Sequence, residues 1–115
     1  MLFRSRIVSE RFHAQVLVVP VPYGPYVSRR QWETMSKIGF QVEEEFLTSP
    51  LPDDIILRAA EQAGVPSVSL MAAFRDQAMR RELYFLWDGH FKPAGHELFA
   101  DQLLGPVADD LTRRP

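Results

Sequence analysis

Residues 15–21 read Gln-Val-Leu-Val-Val-Pro-Val. Val16, Leu17, Val18, Val19 and Val21 form a near-continuous apolar run. A run of this length and kind is what a strand covered on both faces requires, as in a parallel sheet. Pro20 and Pro22 lack the N–H that a ladder needs, so they place the strand's end there.

The pattern on either side is helical. Residues 2–12 predict an amphipathic helix, with Leu2, Phe3, Ile7, Val8 and Phe12 near one face. After the run, residues 22–28 (PYGPYVS) predict a loop. Residues 29–47 predict a helix beginning after Ser28, with a break at Gly39. Residues 48–52 (TSPLP) predict a turn. Pro52 and the first-turn acids Asp53 and Asp54 open a helix that runs to about residue 63. Gly64 ends it and Pro66 follows. Residues 67–71 (SVSLM) predict a second strand, residues 72–82 a short helix, and residues 83–87 (LYFLW) an extended or buried piece. A last helix runs from Pro93 to Gly105–Pro106 on Leu98, Phe99, Leu103 and Leu104. The segment beyond it continues toward a charged tail. Strands separated by helices predict an α/β layer fold with a parallel sheet. Only two strands are distinct, fewer than such sheets usually hold.

Composition narrows the function classes. The chain has 115 residues, 13 basic and 15 acidic side chains, and a formal charge of −2. That balance gives no general attraction to nucleic acid or to an anionic membrane. There is no cysteine, which excludes disulfides, thiolate metal sites and a thiol nucleophile. No apolar run approaches the length of a membrane span. Residues 1–12 are interrupted by Arg4, Arg6, Glu10 and Arg11, so they hold no signal-peptide stretch. The compartment is not legible.

Chemistry concentrates in residues 87–96 (WDGHFKPAGH). Asp88 and His90 stand two apart around Gly89. A carboxylate beside an imidazole is the base unit of a Ser-His-Asp triad: it orients the ring and stabilises the imidazolium once a proton arrives. Pro93 then launches the last helix.

The string DGHFKPAGHELFADQL resembles the final block of the SGNH hydrolases, the GDSL-like lipase/acylhydrolase superfamily. Asp88, His90, Pro93, Gly95 and His96 carry the match, and the upstream order of elements extends it over about residues 14–106. The resemblance implies a three-layer α/β/α flavodoxin-like fold of which this chain is the C-terminal half, a single partial domain. It implies an ester or acylated carbohydrate as substrate, His90 as general base and Asp88 as its orienter. Many members space the pair Asp-x-x-His, and many place Asn where this chain has Lys92.

Two further blocks of that superfamily are missing. No Gly-Asp-Ser occurs, and the chain contains no asparagine, so neither the nucleophile motif nor the Gly-x-Asn-Asp oxyanion block is present. Ser5, Ser9, Ser28, Ser36, Ser49, Ser67 and Ser69 remain, but none sits on a glycine-flanked strand-to-helix turn. The expectation is a base half without its nucleophile, inactive alone. No cofactor is implied, because serine acyl transfer needs none. A different class is the alternative: a non-catalytic α/β module that binds or self-associates through the open edge of residues 15–21.

The other chemistry-bearing residues read as structural. His13 is surface. His96 seats the first turn of its helix. Asp88, His90 and His96 lack the spacing of a metal site. Trp32, Tyr23 and Tyr26 are candidates for lining a groove. Phe85, Trp87 and Phe91 are expected to pack around the Asp-Gly-His loop. Glu43–Glu45 form a solvated face, and Arg29–Arg30 and Arg80–Arg81 are pairs too few for a phosphate stripe.

Overall fold

The computed structural model describes residues 1–112. Six α-helices occur among the described residues: α1 Leu2–Phe12, α2 Gly24–Val27, α3 Arg29–Lys37, α4 Leu51–Gln62, α5 Met71–Ala78 and α6 Pro93–Thr112, with a 3₁₀ turn at Glu44–Leu47 between α3 and α4. Among the described residues there is no β-strand. The α/β fold with a parallel sheet is therefore overturned: the architecture is helical.

The reason lies in two prolines. Val18 donates its N–H to the Pro66 carbonyl at 2.9 Å and accepts from Val68 N–H at 3.0 Å. These bonds make one parallel bridge, Val18 to Ser67. In a parallel ladder the next bonds would run from residue 20 N–H to residue 68 and from residue 66 N–H to residue 16. Residues 20 and 66 are both proline and have no N–H to give. The pairing stops after one rung.

The apolar run still lies between two clusters. Val16 and Val18 pack with Leu2, Ala60, Ala63 and Val65. Val19 packs on the other side with Val27, Leu70, Phe74, Leu83, Tyr84 and Leu98. Alternation along an extended segment sends neighbours to opposite sides, so the run joins α1 and α4 to the larger cluster beneath α5 and α6.

The remaining differences are local. Residues 24–27, expected in a loop, make the one-turn α2, with Pro25 in its first turn. The helix expected over 29–47 ends at Lys37, and Gly39 follows at φ 101°. Gly64 stands at φ 68° and ends α4 where expected. Helix α5 begins at Met71, earlier than the expected residue 72, and absorbs the end of the second predicted strand. Helix α6 passes through Pro106 and continues to Thr112.

Candidate functional site

Residues 83–92 form a narrow hairpin-like loop. Leu83 and Tyr84 are buried in the larger cluster. Tyr84 donates its hydroxyl to the Pro22 carbonyl at 2.6 Å, and burial pushes that phenol far above its ordinary pKa. Across the loop, Lys92 N–H donates to Leu83 O and Phe85 N–H to His90 O, each at 2.8 Å. These bonds bridge Tyr84 to Phe91. The tip closes when Gly89 N–H donates to Phe85 O at 3.2 Å. Gly89 sits at φ 74°, a left-handed conformation that glycine adopts without cost.

That tip positions the predicted pair. One carboxylate oxygen of Asp88, Oδ1, accepts the N–H of His90 at 2.9 Å. The same oxygen lies 3.5 Å from His90 Nδ1. The backbone bond thus pins the carboxylate beside one ring nitrogen and leaves Nε2 for another partner. The imidazole side chain is 83% exposed, so Nε2 faces solvent rather than a closed chamber.

The loop is braced from two sides. From α3, Gln31 Nε2 donates to Phe85 O at 3.2 Å and Thr34 Oγ1 to Leu86 O at 3.0 Å. At its foot, Glu82 accepts from Lys92 Nζ and from Arg30 Nη1, each at 2.5 Å. The Lys92 hydrogen bond, then the Lys92 and Arg30 charges, hold the Glu82 carboxyl below the ordinary range. Glu82 therefore acts as a strut that joins Lys92, at the end of the loop, to Arg30 of α3.

Gly95 stands at a close approach between α6 and the loop. A Cβ here would stand 2.4 Å from Leu83 O and 3.0 Å from the Phe91 side chain. Only glycine lets α6 start this close to the loop. His96 packs its ring edge-on against Phe91, which agrees with a structural part for it. His13 caps α1 at φ 54°, exposed as read.

One aromatic expectation changes. Phe91 packs against Phe74, Tyr84 and Phe99 as expected, but Phe85 and Trp87 are exposed. Trp32, Tyr23 and Tyr26, the candidates for lining a groove, are half-buried. The Trp32 indole donates to Val42 O at 2.7 Å, while Tyr23 packs on Tyr26 and Tyr26 on Phe46.

No serine hydroxyl hydrogen-bonds to a histidine among the described residues. Ser5 and Ser36 donate to carbonyls within their own helices. Ser9 donates to Ala14 O, Ser49 Oγ accepts the Leu51 N–H and Ser69 donates to the buried Asp53. Among the described residues no three His, Asp or Glu side chains gather as metal ligands. No described helix is long and apolar enough to cross a membrane.

Sequence reasoning missed Gln31, Thr34, Arg30 and Glu82 as supports. Their partners lie 52 to 54 residues away for the contacts from α3, and no local spacing marks such pairs.

No protein-family model, curated protein or solved structure matches this chain.

Proposed function

We propose that the Asp88–Gly89–His90 loop is the base element of an ester-cleaving site of the SGNH type. The observation that carries the reading is the pinned carboxylate: Asp88 Oδ1, held by the His90 N–H, lies 3.5 Å from Nδ1 and leaves Nε2 open. In that chemistry Nε2 takes the proton of a serine hydroxyl as the oxygen attacks the ester carbonyl. It returns the proton to the departing alkoxide, and repeats the cycle with water on the acyl-enzyme. Asp88 is the group that would orient the ring in that chemistry.

The serine and the oxyanion donors come from outside these residues, since the chain has neither Gly-Asp-Ser nor any asparagine. Esters, including acylated carbohydrates, are the substrate class. The exposed Phe85 and Trp87 beside the pair offer an apolar ledge for an acyl chain or a sugar face. The reading rests on the loop alone and not on a layered sheet, which the chain does not form.

A second reading is favoured by the exposure of the pair. The Asp88 to His90 N–H bond is also an Asx turn, which closes a tight loop without any catalytic role.

Two assays separate the readings. The 115-residue chain is expected to hydrolyse p-nitrophenyl acetate no faster than an equal concentration of free imidazole. Fast turnover abolished by His90→Ala would place the nucleophile inside the chain and refute the half-site. In a folded fusion behind a segment carrying Gly-Asp-Ser and Gly-x-Asn-Asp, His90→Ala is expected to lower turnover at least ~100-fold. Indifference to that substitution would leave only the Asx turn.

A further inference from the structure

The molecule exposes more surface than its mass requires. A folded monomer of 13.2 kDa shows about 6,400 Å², and this chain shows 7760 Å². Its radius of gyration is 15.7 Å, with extents of 48 × 25 × 20 Å, where about 13 Å is usual for this length. The surplus exceeds the roughly 800 Å² that each partner contributes to a standard interface.

Two helix faces carry regularly spaced exposed apolar side chains. On α6, Ala100, Leu104, Val107 and Leu111 follow a 4-3-4 spacing. That spacing makes a straight stripe about 60° wide on a helix. The three larger side chains are 71%, 42% and 60% exposed. On α1, Met1, Ser5, Val8 and Phe12 repeat the same spacing, and Met1, Val8 and Phe12 are more than half exposed.

The flanks have opposite charge. Arg4 and Arg11 border the α1 stripe, and Glu97 and Asp101 border the α6 stripe. None of these four takes part in a salt bridge among the described residues. Pairing α6 with α6 would bring acidic flanks together, and pairing α1 with α1 would bring arginines together. Pairing α1 with α6 satisfies both.

Within one molecule the two helices sit against different apolar clusters, α1 with Val16 and Val18 and α6 with Phe74 and Tyr84. The match is therefore made between molecules. We propose that the occupant of each stripe is a second copy of this chain. Helix α1 of one copy lies on α6 of the other, and two-fold symmetry repeats the contact. The open edge at Leu17 and Val19, whose N–H groups face away from the Val18–Ser67 bridge, is the competing surface. This inference does not depend on the ester chemistry.

The test is the mass in solution by sedimentation equilibrium of the full chain at about 100 μM. The expected mass is twice 13.2 kDa. Leu104→Glu with Leu111→Glu should give the single-chain mass while the helical circular dichroism signal persists. Arg4→Glu with Arg11→Glu should weaken the dimer at least tenfold, and adding Glu97→Arg with Asp101→Arg should restore it. A wild-type monomer would overturn the proposal. So would a dimer that tolerates the Leu104/Leu111 substitutions, or one dissociated instead by Leu17→Pro, which would put the contact on the strand edge. If the charge-reversed pairs fail to restore the dimer, the α1–α6 assignment falls.

Discussion

His90 and Asp88 owe their relation to one backbone bond. The carboxylate that accepts the His90 N–H is the one that stands beside Nδ1, and Gly89 supplies the left-handed turn that this needs. The pair and the glycine were legible because all three are neighbours in sequence. Gly95 was legible only as a matched letter, and the close approach of Leu83 O supplies its physical cause. The supports were not legible at all. Thr34, for instance, donates to Leu86 O at 3.0 Å from a position 52 residues away.

Tyr84 carries a prediction at the same scale. Its phenol is buried, donates to Pro22 O, and has its pKa raised well above the ordinary value of 10. The folded state therefore keeps a proton that the unfolded chain loses above about pH 10. Tyr84's contribution is fully present below that pH and falls as pH rises, by up to about 1.4 kcal/mol per unit. Urea unfolding between pH 8 and about 11 should show this alkaline loss, and Tyr84→Phe should flatten it. Tyr23 is raised in the same direction by burial and would leave a residual slope. A wild-type stability that does not fall across this range would refute the buried neutral phenol.

At the scale of elements, the helices were the readable part. Caps, glycine stops and apolar stripes are local, and α1, α4 and α5 lie within two residues of expectation at their starts. The sheet failed because ladder formation depends on donors in two distant segments at once. Pro20 removes one flanking rung and Pro66 the other, and neither proline is informative until the Val18–Ser67 register is known. Helix α6 differed for another reason: Gly105 and Pro106 signal an end, yet the chain stays helical to Thr112. The proline account has a direct check. Pro20→Val with Pro66→Val should restore both donors and extend the pairing beyond one rung. Hydrogen exchange should then show protected amides at residues 20 and 66. Unprotected amides at both positions would mean that something other than the missing donors halts the ladder.

At the scale of the whole molecule, two apolar clusters joined by an extended segment make an elongated body with bare helix faces. The exposed surface exceeds what a folded monomer of this mass shows. The dimer would complete the surface, and an external serine would complete the chemistry. What this chain itself must provide is an imidazole fixed by Asp88 with Nε2 ready to accept a proton. The most direct measurement of that is the His90 tautomer, read from ¹⁵N imidazole shifts at about pH 9, where an ordinary histidine is neutral. The expected result is the proton on Nδ1 beside Asp88 and a bare Nε2, with Asp88→Asn abolishing the preference. A neutral His90 protonated on Nε2, unchanged by Asp88→Asn, would contradict it.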